Sequence, residues 1–385
     1  MSESLAGLYL HVPFCRRICP YCDFAVRPGD VPRRAAYVEA LLLEIERSRD
    51  TFERIDTIYF GGGTPSMLEP PALARILDAA RAAFDVHPDT RIFLEANPED
   101  VDASAVSAWR DLGVNTLSLG VQSLDDAGLE FLGRAHDRSQ AEKAVGFAHD
   151  AGFETVSIDL IYGRPGQTLE AWGEEMRRAL ALDPDHVSCY QLTIEPRTRF
   201  GALAVRGRLT PLDVNEQGAF FRLTHGTFRE AGFEGYEVSQ FASSPEHRSR
   251  HNVKYWNHTA YLGLGPSAHS YRGTERWWNL RKEGPWRERL NADDSPVEGR
   301  ERLDPESLAL EAMMVGFRTA DGVDPGGILD RFGIDVEASN RDTLETMCSL
   351  RLLTVEDGRW KPTLDGFAVA DALAARFTIE PPDRN

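Results

Sequence analysis

The chain has 385 residues, 42% hydrophobic and 27% charged, with 43 basic against 61 acidic residues and a formal net charge of −18. That usage excludes collagen-like, disordered and disulfide-scaffold classes, and the charge disfavours nucleic acid and anionic lipid as partners of the whole surface. No run approaches the ~18 apolar residues of a membrane span, and MSESLAGLYL carries Glu3 without a basic n-region, so a cytoplasmic protein without membrane span or cleaved signal is expected.

Residues 8–12 read as a short strand, and 33–49 as a helix because Tyr37, Ala40, Leu41 and Ile45 recur at helical spacing. A strand at 57–60 precedes a helix at 71–84, whose prolines Pro70 and Pro71 suit a helix start. The alternation continues with strands at 91–96, 116–121, 155–161 and 186–192, and helices at 103–112, 125–132, 140–151 and 169–182. Strands alternating with helices signal a parallel α/β sheet. Polar and glycine-rich residues sit after nearly every strand, which suits a full or partial (β/α) TIM-type barrel better than an open sheet with one switch point.

Beyond residue 195 the pattern loosens, with one helix at 215–231 and a polar, aromatic stretch at 236–286. The segment 283–302 is rich in charge, Pro and Gly and reads as a linker, so residues 1–282 form the barrel-like domain and 303–385 a second one. Helices at 305–318, 325–332 and 341–349, then a hairpin at 352–361 turning on Asp357–Gly358, predict a small C-terminal helical, winged-helix-like domain.

The chemistry concentrates in CRRICPYC. Cys15, Cys19 and Cys22 lie in the loop leaving the first strand, and three thiolates on one loop can each hold one iron of a [4Fe–4S] cubane, leaving the fourth iron open. The competing reading is a zinc site, which wants a fourth Cys or His at short spacing; His11 stands too close to supply it. Cys189 and Cys348 lie in apolar runs and read as core residues. After the second strand comes GGGTPS at 61–66, where glycines let the backbone approach a ligand; no Lys-Ser/Thr follows, so it is not a phosphate loop.

With YLHVPFCRRICPYCDF, YFGGGTPS, LEANPED, SLGVQSLDD, LGRAH and IDLIYGRPGQT in this order, the chain resembles the radical S-adenosylmethionine (SAM) proteins related to oxygen-independent coproporphyrinogen III oxidase. The resemblance implies a radical SAM barrel with Cys15, Cys19 and Cys22 as cluster ligands. It also implies a SAM site in which Tyr9 contacts SAM, Gly62, Gly63 and Thr64 form the turn at its methionine group, and Glu95 takes its ammonium. Gln122, Arg134 and Asp159 match further polar SAM contacts. Two departures set the chain apart from the oxidases: Phe24 stands where they carry a fourth cysteine, and their longer N-terminal extension has no counterpart before Cys15.

With HNVKYW at 251–256, these departures resemble the haem chaperone branch of the family. That implies haem as bound cargo, handed to haem-accepting proteins including membrane respiratory enzymes, with no coproporphyrinogen oxidase activity. The alternative is the radical decarboxylation of coproporphyrinogen III to protoporphyrinogen IX. His251 offers an imidazole to haem iron, with Tyr255 and Trp256 as aromatic surface and His258 and His269 as competing ligands. A catalytic residue is not assigned.

Overall fold

A computed structural model describes residues 5–52 and 54–379. Strands β1 (Ala6–Val12), β2 (Arg54–Gly62), β3 (Asp85–Ala96), β4 (Thr116–Gln122), β5 (Thr155–Tyr162) and β6 (His186–Gln191) alternate with helices, each strand parallel to the one before. Beyond β6 the sheet continues through antiparallel β8 (Gln240–Ala242) and β7 (Glu234–Glu237). On the other side of β1 stands parallel β9 (Tyr261–Leu264), then antiparallel β10 (His269–Arg272), β11 (Glu275–Asn279) and β12 (Val297–Arg302). The order β12-β11-β10-β9-β1-β2-β3-β4-β5-β6-β8-β7 has its two end strands unpaired with each other, so the barrel is partial.

Local chemistry sets the alternation. Asp30 caps helix Val31–Arg47 by accepting from the Arg33 N–H at 3.0 Å, with proline in the first turn. Asp137 and Gln140 form a reciprocal capping box on helix Arg138–Asp150. Each such cap is worth ~1 kcal/mol. Along β1, Leu8, Leu10 and Val12 are fully buried in the core they share with Leu41 and Ile45 of the first helix. Tyr9 and His11 therefore face the concave side. Each buried aliphatic contributes roughly 1.5–3 kcal/mol, so a charge at Leu10 would unseat the central strand.

The concave face is unusual for a barrel. Closed barrels stack branched aliphatics there; here Tyr59, Glu95, Ser118, Asp159, Ser188 and Gln240 line a cavity of ≈ 60 Å³. A polar, incompletely filled lumen is built to receive something polar.

The segment expected as a linker, 283–302, instead folds as helix Glu283–Asn291 and edge strand β12. Charge and glycine masked a helix that anchors through Trp286, which is fully buried, and Leu290. The buried Glu44 carboxylate ties this region to the first helix, accepting from the Gly265 N–H at 2.7 Å, Asn279 Nδ2 at 2.6 Å and Trp286 Nε1 at 3.1 Å.

The C-terminal unit is helical, with helices Pro305–Gly316, Pro325–Phe332 and Val336–Ser349, then the hairpin β13 (Leu353–Glu356) and β14 (Arg359–Pro362). Its own core includes Met313, Phe317, Trp360 and Phe377. It docks on the barrel through Arg276–Glu311 at 2.6 Å, Arg318–Glu237 at 3.4 Å and the Ala320 N–H on the Tyr236 carbonyl at 3.0 Å. Among the described residues no helix is long and apolar enough to cross a membrane.

Candidate functional site

The three-cysteine loop leaves β1 and returns on itself: Cys15 N–H donates to the Arg27 carbonyl at 3.0 Å and Arg27 N–H to the Pro13 carbonyl at 2.7 Å. Three neighbours hold it. The glycine turn after β2 reaches it where the Gly63 N–H donates to the Val12 carbonyl at 2.8 Å. A Cβ on Gly63 would stand 2.6 Å from the Phe14 carbonyl oxygen, so only glycine allows this approach. A strap around residues 197–200 supplies the second hold, with Phe200 N–H on the Pro20 carbonyl at 2.9 Å and Arg197 forked onto Asp23 at 2.7 and 3.2 Å. The third is His11, whose Nε2 donates to the Ala25 carbonyl at 3.1 Å. Since a carbonyl only accepts, the neutral ring must take the Tyr9 hydroxyl proton on Nδ1, at 3.1 Å. Burial pushes the His11 pKa down to about 4, which keeps the ring neutral.

The sulfurs join a hydrogen-bond chain. Arg134 donates to Cys19 Sγ at 3.4 Å, to the Gly120 carbonyl at 2.9 Å and to Asn97 Oδ1. Asn97 Nδ2 passes the chain to Thr64 Oγ1 at 3.1 Å, and the Thr64 hydroxyl donates to Cys15 Sγ at 3.5 Å. Two cysteines are thus bridged through Asn97, which sequence reasoning missed; its place two residues after Glu95 in LEANPED was the available signal. Burial would lower the Arg134 guanidinium, but Tyr21, Cys19 and Glu99 outweigh it and hold the charge in place.

Burial pushes the Cys15 thiol up to about 11 against the Thr64 hydrogen bond, and raises Cys22 as well. Such thiols ionise only when a metal takes the proton's place. All three cysteines are half-buried and free. Arg134 Nε is buried without a partner, a donor left for something the loop would hold. Among the described residues no three His, Cys, Asp or Glu groups converge as for a single metal ion. A cubane imposes no such convergence, because it takes one thiolate at each of three irons. The donor set of thiols, with cationic and hydroxyl donors to sulfur, fits an iron–sulfur cluster.

Two carboxylates, Glu95 and Asp159, line the lumen, and neither forms an ion pair among the described residues. Glu95 accepts from the Tyr59 hydroxyl at 2.8 Å and the Gly62 N–H at 3.1 Å. Burial pushes its pKa up to about 7, with those hydrogen bonds opposing and the Asp159 charge adding. Asp159, with Ser118 Oγ at 3.5 Å, is raised by burial to about 6. Gly62, at φ +108°, passes so close to the His11 ring that a Cβ would meet it at 2.6 Å. Gln122 ends β4 at φ +66°, where the register to β5 slips, and its amide gathers with Asn97 and Arg134 around Gly120. Strain of that kind is retained where a side chain must be aimed. Thr64 and Arg134 thus touch the cysteine sulfurs, Gln122 lies beside Arg134, and Gly62 links Glu95 to the turn, while Glu95 and Asp159 line the lumen. The arrangement can hold a cationic amine against Glu95 beside a cluster at the loop.

His251, expected as a haem ligand, is buried within the fold. It is 1% exposed, its Nδ1 bonded to Thr57 Oγ1 at 2.8 Å and its Nε2 to the Tyr255 hydroxyl at 2.8 Å. Burial lowers its pKa to about 3. Both ring nitrogens are engaged by hydroxyl groups, and the ring packs among Tyr9, Tyr59 and Phe93. Within HNVKYW, Lys254 Nζ joins Asp56 at 2.7 Å and the Leu5 carbonyl at 2.6 Å. Of the competitors, His258 faces Glu311 at 3.5 Å, while His269 is exposed and stacked on Trp278. Cys189 is buried and Cys348 packs against the C-terminal core.

Residues 9–179 match the family model described as the Radical SAM superfamily, and residues 303–369 that of the HemN C-terminal domain. The chain is 34% identical over 372 residues to the heme chaperone HemW of Mycobacterium tuberculosis (strain ATCC 25618 / H37Rv), covering 95% of this chain and 93% of that protein. It is 33% identical over 383 residues to the heme chaperone HemW of Lactococcus lactis, covering 99% of each. Among solved structures, the radical SAM enzyme coproporphyrinogen III oxidase (HemN) of Escherichia coli superposes with a TM-score of 0.84 over 97% of this chain and 90% of that one. At 21% identity, that likeness establishes the fold.

Proposed function

The chain belongs to the coproporphyrinogen III oxidase-like radical SAM family, in its HemW branch, and from that membership we propose that it is a cytoplasmic haem chaperone. It carries a [4Fe–4S] cluster on Cys15, Cys19 and Cys22, binds SAM, and delivers haem to acceptor proteins, membrane respiratory enzymes among them. The observation that carries this reading is identity to heme chaperones of about a third across both domains. Phe24 supports it: 70% exposed at the tip of the loop, it stands where the oxidases have a further cysteine.

A cluster here supplies an open iron corner and a one-electron couple. Glu95, ionised once a cation arrives, holds the SAM ammonium by a charge-assisted hydrogen bond. The Gly62–Thr64 turn accommodates the methionine group at backbone range. Thr64 and Arg134 donate to cysteine sulfur, which stabilises the more negative thiolate state. Iron and sulfide analysis of anaerobically reconstituted protein tests the first step. About four irons per chain are expected in the wild type and none in the Cys15→Ala/Cys19→Ala/Cys22→Ala variant; a full cluster in the variant would remove these ligands.

A further inference from the structure

The cysteine loop forms one wall of a cavity of ≈ 790 Å³ whose opposite wall is the strap and the helix that follows it, Arg199–Val205. Cys19 and Cys22 line it together with Phe131, Leu203, Arg17, Arg199 and Arg208. The Phe131 ring packs on Phe200 at 4.9 Å with the planes tilted by 38°, which makes an apolar wall.

The arginines here differ in what they do. Arg197 is spent on Asp23. Arg199 and Arg208 are exposed, and their guanidinium groups have no ion pair or hydrogen bond among the described residues. Three acidic residues also line the groove, against five arginines: Asp137 caps a helix by accepting from the Gln140 N–H at 2.8 Å, Asp126 accepts from the Arg138 N–H at 2.9 Å, and Glu130 is exposed. In a chain of net charge −18, uncommitted guanidinium groups above an apolar wall form a local anion-binding surface. The volume falls in the range of sites that enclose a whole ligand, roughly 300–1,000 Å³.

We propose that this groove is the haem-binding site, with the macrocycle against Phe131 and Leu203 and the two propionates on Arg199 and Arg208. The assignment rests on the haem reading above and adds the place of binding. It puts the cargo beside the loop that would carry the cluster, and away from the buried His251.

Ferric haem and its dimethyl ester, in which both propionates are capped, are titrated into the reconstituted wild type and the Arg199→Ala/Arg208→Ala variant, with the Soret band as readout. The expected result is about a tenfold or greater loss of haem affinity in the variant, with ester affinity weak and equal in both proteins. Cluster absorbance and far-UV circular dichroism should be unchanged, since neither guanidinium bonds to the fold. Wild type that binds haem while the variant binds it equally well would overturn the groove and leave the haem reading standing. Wild type that does not bind haem would overturn both.

Discussion

Burial holds the Glu95 and Asp159 carboxyls above their ordinary range, and that has a thermodynamic signature. A carboxyl with a raised folded pKa adds stability below its unfolded value, and the contribution is lost as pH rises through the folded one. For Glu95 that window runs from near 4.5 to about 7, and for Asp159 from near 3.8 to about 6. Glu95→Gln cannot ionise, so its melting temperature should gain on the wild type between pH 5 and pH 7.5 when SAM is absent; a constant difference across that range would contradict the buried charge. The same variant should bind SAM about tenfold to a hundredfold more weakly, a loss of roughly 1.5–3 kcal/mol read by anaerobic calorimetry. His251 makes the opposite case. Removing its ring leaves the Thr57 and Tyr255 hydroxyls unpaired and a void against Tyr59, so His251→Ala should cost about 3 kcal/mol in denaturant unfolding. Haem affinity of the folded fraction should be unchanged, and a lost Soret shift in fully folded variant would restore His251 as the ligand.

At the scale of elements, the cluster loop is shaped by what grips it. The cysteine spacing was legible in the sequence because iron chemistry constrains residue type and separation. The grip was not legible, because it runs through main-chain groups and through partners far along the chain: Gly63 on Val12, Phe200 on Pro20, and Asn97 between Arg134 and Thr64. Gly63→Ala would place a methyl 2.6 Å from the Phe14 carbonyl oxygen and 2.9 Å from that of Val12. Neither neighbour is a flexible side chain, so the loop itself must shift. This variant should take up clearly less iron on reconstitution than wild type, with far-UV circular dichroism retained; normal iron uptake would show that the turn does not position the cysteines.

For the whole molecule, strands β1 to β6 could be read from alternation, since both their order and their hydrophobic runs follow from a parallel sheet packed on helices. The later strands could not. β7 to β12 are short and, apart from β9, antiparallel, and β12 with its preceding helix hid in a charged stretch that composition assigned to a linker. HNVKYW was legible as a motif, but not the surroundings of its side chains: the fold buries His251 against Thr57 and Tyr59, while Tyr255 and Trp256 stay half-buried and Trp256 packs on Tyr236. What the fold leaves free is a polar lumen, a cysteine loop and an arginine-rimmed groove beside it, a layout for holding a cofactor and a cargo. The most direct test gives the reconstituted protein haem in one arm and coproporphyrinogen III with SAM and reductant in the other. A haem chaperone binds the haem with a Soret shift, passes it to an acceptor apoprotein and forms no protoporphyrinogen IX. Protoporphyrinogen IX at multiple turnovers would identify an oxidase and contradict the account.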